Sequence, residues 1–303
     1  MRDAFCRLMV EAARRPEFVF LTGDLGFMAL EPLRDALGPR FINAGVAEQN
    51  MVSVAAGLAR SGLRPWVYSI APFVYARPFE QVRNDVCLHH LPVVLVGNGG
   101  GYGYGVMGAT HHALEDYGTL LGLPGLRAFV PAFDEDLAPL FGRLFEADHP
   151  SYVRLGLSEK PAGAEVPPFG PWRRLLDGPG WVILAAGPLA GGIWDAARTL
   201  DDAHRPALWL LGELPLDELP PAFLADLDRS RRLLVVEEHV GHGGVAEMVA
   251  ATLLKGGRAP ARFEARTALG YPSGRYGSQR FHRRESGLDP ASIVAFLRSE
   301  DVP

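Results

Sequence analysis

The sequence has little cysteine. Among 303 residues only Cys6 and Cys87 occur, at no spacing typical of a metal or redox motif. This excludes a disulfide framework, and the two residues read as reduced thiols of a cytoplasmic protein. Long apolar runs are missing as well. The longest, around 93–96 and 181–186, are strand-sized and far short of the roughly twenty residues that span a bilayer. There is no basic excess: 30 Lys plus Arg stand against 35 Asp plus Glu, a formal net charge of −5, which leaves no electrostatic footprint for nucleic acid. A signal peptide is not expected, because the chain opens on an amphipathic helical pattern rather than a short apolar block. Low-complexity tracts and internal repeats are also absent. The 35 glycines and 25 prolines punctuate short apolar runs, with one local concentration at 97–105.

What is there is a chain long enough for a large core and two domains. Helical and strand-like patterns alternate in the first part. Helices are predicted at 2–14, 47–60, 75–87 and 137–145, and strands at 18–22, 65–68, 92–97, 126–130 and 152–155. A second series follows, with strands at 181–186, 207–211 and 233–237 and helices at 193–200, 245–254 and 290–298, the last capped by Asp289. This rhythm predicts an α/β fold with mostly parallel sheets flanked by helices. The boundaries read as a first domain at 1–158, a Pro- and Gly-bearing linker at 159–174 and a second domain at 175–303.

Three segments concentrate groups able to do chemistry. Phe41-Ile-Asn-Ala-Gly-Val-Ala-Glu-Gln-Asn-Met51 places the acid Glu48 at the start of a helix whose Val52, Ala55, Ala56 and Ala59 follow at buried spacing. By itself Glu48 is either an N-terminal acid answering the helix dipole or a reactive carboxyl. Ala109-Thr-His-His-Ala-Leu-Glu-Asp116 carries His111 and His112, suited either to capping a turn or to hydrogen bonding and proton transfer. A metal site there is not expected, because adjacent side chains rarely converge and no further ligands lie close. Glu237-Glu-His-Val-Gly-His-Gly-Gly244 follows a strand, and its His239 and His242 read as structural. The glycine stretch 97–105 lacks the Lys-Ser/Thr of a phosphate loop, so it is either a wall close to ligand or a surface loop.

Taken together, these segments resemble the C-terminal half of transketolase in the form found as a separate subunit, with a pyrimidine-binding domain followed by a C-terminal domain. The resemblance spans nearly the whole chain and implies thiamine diphosphate as cofactor. It implies that Glu48 sits at the aminopyrimidine N1′ and controls cofactor activation, and that Phe73 packs on the pyrimidine. His111 faces the donor, with His112 behind it, and Tyr102 or Tyr104 faces ligand or partner. Arg77 binds substrate or locks a subunit contact. Asp24, in Thr22-Gly-Asp-Leu-Gly26, lies at the edge of the active site or forms a simple Asx turn.

The sequence lacks a Gly-Asp-Gly segment with a downstream Asn, which in that family holds the diphosphate and metal. The resemblance therefore implies a partner subunit that binds diphosphate and Mg2+, in an α2β2 assembly. The leading expectation is ketol transfer from a ketose to an aldehyde. A 2-oxoacid decarboxylating or carboligating subunit and a noncatalytic assembly subunit are the alternatives. Substrate recognition is expected to be altered, since Gly99, Val106, Met107 and Leu157 stand where the family has polar substrate contacts. The donor is expected to be an unphosphorylated or otherwise modified ketose.

Overall fold

The computed structural model describes residues 1–299 and contains two sheets. Its strands are β1 (Phe18–Thr22), β2 (Phe41–Asn43), β3 (Arg64–Ile70), β4 (Val94–Asn98), β5 (Arg127–Phe129), β6 (Ser151–Leu155), β7 (Trp172–Leu176), β8 (Val182–Ala186), β9 (Ala207–Leu211), β10 (Glu213–Leu214), β11 (Arg232–Glu237) and β12 (Arg262–Arg266). The first sheet runs β10-β5-β6-β4-β3-β1-β2 and the second β12-β11-β8-β9-β7. All pairings are parallel except β10 on β5 and β7 on β9. Parallel strands need crossover connections, and helices supply them on both faces.

The helices are α1 (Arg2–Ala12), α2 (Glu31–Leu37), α3 (Glu48–Arg60), α4 (Ala71–Tyr75), α5 (Phe79–Gln81), α6 (Asp116–Leu120), α7 (Leu137–Glu146), α8 (Leu189–Ala197), α9 (Pro221–Ser230), α10 (Val245–Lys255), α11 (Gln279–Glu285) and α12 (Pro290–Ser299). On α3, Met51, Val52, Ala55, Ala56 and Ala59 are buried at helical spacing, and the three alanines let the helix lie close to β3. On α7 the same spacing buries Leu137, Leu140, Phe141, Leu144 and Phe145. The rings of Phe141 and Phe145 stand 5.1 and 4.8 Å from Trp66 on β3. Each such side chain contributes on the order of 1.5–3 kcal/mol through burial. Among the described residues no helix is long and apolar enough to cross a membrane. Both cysteines are free.

The structure departs from the predicted elements in places that matter for the site. The helix predicted at 75–87 begins earlier, at Ala71, with Pro72 in its first turn. It stops at Tyr75, resumes at Phe79–Gln81, and is wound as a π-helix over Val82–Cys87. Pro78 explains the break, since it offers no N–H and its ring clashes with the preceding turn. The early start brings Phe73 into a first helical turn, just beyond the carboxyl end of β3. A second departure is β7, which begins at Trp172, inside the stretch read as linker, and alternates buried and half-buried residues along an edge. A third is β10, contributed to the first sheet by the later part of the chain.

The inward residue Arg173 shows why β7 escapes a hydrophobic pattern. Its guanidinium donates to both carboxylate oxygens of Asp136, at 2.6 and 2.8 Å, and both side chains are buried. Asp136 also accepts from the backbone N–H groups of Ala132 and Phe133. Removing one partner strands a buried charge. Asp136→Ala should therefore cost about 3–5 kcal/mol of stability by chemical denaturation. A loss below about 1 kcal/mol, the range of an exposed pair, would contradict this reading.

Candidate active site

The parallel strands β1 to β4 all end on the same side of the first sheet, and the candidate residues sit just beyond those ends. This is where open α/β sheets bind ligands. Asp24 follows β1, Glu48 follows β2, Phe73 follows β3, and Asn98 closes β4. The left-handed turn at Gly45 (φ 69°) is tied down by its N–H donating to Asn43 Oδ1 at 2.9 Å, and it redirects the chain into α3. Glu48 is the first residue of that helix and is 5% exposed.

Glu48, Arg77 and Phe73 form one contact set. Arg77 donates to Glu48 Oε1 at 3.1 Å. Its guanidinium carbon lies 3.7 Å from the centroid of the Phe73 ring. A planar cation is thus held at its edge by a buried carboxylate and on its face by a phenyl ring. The arginine is half exposed, whereas the carboxylate is not. His111 meets Phe73 edge-to-face at a centroid distance of 5.3 Å. Its Nδ1 pairs with Thr110 Oγ1 at 2.9 Å, and Nε2 has no protein partner among the described residues. Tyr104 lies on the other side, 5.8 Å from the His111 ring, with its hydroxyl accepting from Asn98 Nδ2 at 2.9 Å. The sequence alone does not single out Asn98. Its one signal there is a polar residue at the end of an apolar strand and before a run of glycines.

Asp24 accepts from Asn43 Nδ2 at 3.3 Å, which links the ends of β1 and β2. It borders an open cleft of about 690 Å3 that also involves Thr22, Phe27 and Asn43. Phe27, Met28 and Val46 are exposed. Val106, Met107 and Leu157 are exposed as well, and Gly99 and Leu157 line a further cleft with Tyr104. Among the described residues no cluster of His, Cys, Asp and Glu is arranged to hold a metal.

Of the two tyrosines offered as facing ligand or partner, Tyr102 turns elsewhere, and His112, expected behind His111, is held by protein groups. Tyr102 is fully buried: its hydroxyl donates to the Gly270 carbonyl at 2.9 Å, and its ring stacks on His282 at 4.9 Å. His112 is saturated at both nitrogens, with Nδ1 bonded to the Tyr271 hydroxyl and Nε2 to the Gly105 carbonyl, each at 2.8 Å. Both side chains are sealed by residues from the end of the chain and cannot touch a ligand without breaking that contact. His239 is likewise structural, stacked 4.0 Å from Tyr117 and bonded to Val240 O.

Burial depresses the pKa of His112, against the opposing hydrogen bond to Gly105. His239 and His282 are depressed by burial too. A histidine that binds a proton more readily unfolded than folded stabilises the fold fully above its unfolded value, near 6.5. That contribution is lost as pH falls from there toward the depressed folded value. His112→Gln keeps an amide near the Gly105 carbonyl but cannot titrate. Its stability should fall less steeply than that of the native chain between about pH 7 and 5.5 in thermal melts. Parallel slopes would contradict the assignment.

Comparison with known proteins gives a consistent result. The family model for the transketolase pyrimidine binding domain matches residues 1–160. A Phocaeicola vulgatus protein described as one of the subunits of an apulose-4-phosphate transketolase is 33% identical over 260 residues, 83% of each chain. The 1-deoxy-D-xylulose-5-phosphate synthase of Myxococcus xanthus is 32% identical over 303 residues, which cover 96% of this chain and 50% of that protein. Among solved structures, a split gene transketolase described as an inactive beta4 tetramer superposes with a TM-score of 0.80 at 26% identity, covering 98% of this chain and 96% of that one. A matched domain over more than half of its length, two mostly parallel sheets and a split-gene structural relative spanning both together place this chain in the transketolase family.

Proposed function

We propose that this chain is the pyrimidine-binding half of a two-subunit enzyme that uses thiamine diphosphate to transfer a two-carbon ketol unit from a ketose to an aldehyde. The observation that carries the reading is the slot between Glu48 and Phe73. The Arg77 guanidinium already indicates what fits there: a flat, nitrogen-bearing group stacked on Phe73 and hydrogen-bonded to Glu48. An aminopyrimidine makes the same two demands. Arg77 is half exposed, so its head can leave the slot for solvent, and the ring that replaces it would supply the partner that the buried Glu48 carboxyl needs.

When bound, the cofactor supplies a carbon nucleophile at its thiazolium C2. Glu48 holds the ring through N1′ and shares a proton there, a task that requires a carboxyl group. Phe73 fixes the plane of the ring. His111 presents Nε2 toward substrate oxygens, because Thr110 occupies Nδ1 and thereby orients the imidazole. The chain carries no diphosphate-binding Gly-Asp-Gly segment, so we assign diphosphate and Mg2+ to a separate subunit. A solved relative composed of beta chains, described as inactive, supports that division. The exposed Val106, Met107 and Leu157 support a donor different from a common sugar phosphate.

The direct test is Glu48→Gln in the assembled complex, followed by hydrogen–deuterium exchange at the cofactor C2. An amide cannot share the proton as a carboxyl does. Exchange should slow by about 10²- to 10⁴-fold while the complex still assembles. An unchanged exchange rate removes Glu48 from this role.

A further inference from the structure

The loop that carries His111 is closed on itself by the neighbouring histidine. Gly105 (φ 48°) and Gly108 (φ 75°) turn the chain left-handed, and the His111 N–H returns to the Gly108 carbonyl at 3.0 Å. The Gly105 carbonyl accepts from the Gly108 N–H at 3.1 Å and from His112 Nε2 at 2.8 Å. The imidazole of His112 therefore ties the end of segment 105–112 to its beginning. A Cβ at Gly105 would stand 3.2–3.3 Å from the backbone of 277–279, and one at Gly108 would stand 3.0–3.1 Å from the Tyr276 ring. The loop thus lies flush against the chain that leads from β12 into α11.

The hydrogen bonds of His112 have a fixed direction. A carbonyl only accepts, so Nε2 carries the ring's proton. Burial depresses the pKa of His112, which keeps the ring neutral at neutral pH, and Nδ1 is left as an acceptor. Its partner is the Tyr271 hydroxyl at 2.8 Å, which therefore donates. Burial also keeps the Tyr271 phenol protonated, with its pKa pushed up to about 12. The two rings stack, with centroids 5.7 Å apart and planes inclined by 22°. One hydroxyl from the later part of the chain thus supports the tautomer that closes the loop. The same loop presents His111 against Phe73 at 5.3 Å.

Resting on the reading of His111 as the group that meets the ketol donor, we propose that Tyr271 is a positioning residue for that step. Its hydroxyl acts through His112, which holds the loop 105–112 closed and with it the aim of His111. Tyr271 itself reaches no reacting atom, because its hydroxyl is committed to His112.

The test uses the complex with the diphosphate-binding partner. The donor is whichever of D-xylulose, its 5-phosphate and erythrulose the native complex cleaves fastest in a single turnover. Tyr271→Phe keeps the ring and removes the hydroxyl. It should slow donor cleavage by about 3- to 30-fold, as expected when a buried acceptor loses its partner. Cofactor affinity and hydrogen–deuterium exchange at the cofactor C2, which read Glu48 and Phe73, should stay within about twofold. In a His111→Ala background the same substitution should change donor cleavage by less than about twofold, because the route through His111 is already gone. Tyr276→Phe is the control: its ring packs edge-on against Tyr271, and its hydroxyl has no protein partner among the described residues, so it should behave as the native complex. A normal Tyr271→Phe variant, equal slowing with and without His111, or a matching loss of C2 exchange would each overturn the proposal. So would a Tyr276→Phe effect as large as that of Tyr271→Phe. A fully active His111→Ala variant would overturn the reading of His111 and the proposal with it. Cleavage of none of the three ketoses would instead overturn the ketol-transfer reading.

Discussion

The shape of the site depends on a buried polar joint between the loop after β4 and the later part of the chain. Glu238 is its centre. One carboxylate oxygen accepts from the Tyr102 N–H at 2.6 Å, and the other accepts from Arg283 Nε at 2.7 Å. Arg283 also bonds Glu159. From β6, Arg154 donates to the carbonyls of Ala113 and Glu238, which ties both ends of segment 99–116 to the same joint. Arg154 Nε approaches Asp116 Oδ2 at 2.9 Å without hydrogen-bond alignment, so the attraction there is chiefly one of charge. Charges buried this deeply are tolerable only when paired. Their pairing fixes the wall that carries Tyr104 and His111.

This joint gives the second sheet a role at the site without placing a reactive group there. Glu237 caps α10 by accepting from the N–H groups of Val245 and Ala246, and Tyr117 donates to it at 2.5 Å. Every acid and histidine of the segment 237–239 is committed to such contacts. The candidate site residues therefore lie beyond the carboxyl ends of β1 to β4, and contacts from the later part of the chain hold the loop after β4.

The elements readable from sequence are those whose residues answer only to burial. The strands β1, β9 and β11 and the helices α3 and α10 are predicted within a few residues, because their apolar spacing matches the period of the element. The charged edge strands β7 and β12 are hidden: Trp-Arg-Arg-Leu-Leu and Arg-Phe-Glu-Ala-Arg break any apolar run with arginines, and on β7 the buried partners Asp136 and Asp226 lie far along the chain. The two-residue β10 leaves no pattern at all. At the site Glu48 and Phe73 meet through Arg77, and His111 lies between Phe73 and Tyr104; the family resemblance points to Glu48, Phe73 and His111 and leaves the two tyrosines open. Tyr102 cannot be separated from Tyr104 by sequence, and His112 is separated from His111 only through the resemblance. Which of two adjacent histidines or alternate tyrosines faces inward is decided by Tyr271, Gly270 and His282, more than 150 residues away.

The proposed half-site has a direct thermodynamic signature. Glu48 and Phe73 supply one carboxylate and one ring face, too little to hold a charged cofactor against its solvation. Titration calorimetry with thiamine diphosphate should be run on this chain, on the proposed diphosphate-binding partner, and on the mixture, with and without Mg2+. Tight, Mg2+-dependent binding is expected only in the mixture. Stoichiometric tight binding by this chain alone, accompanied by full turnover, would contradict it.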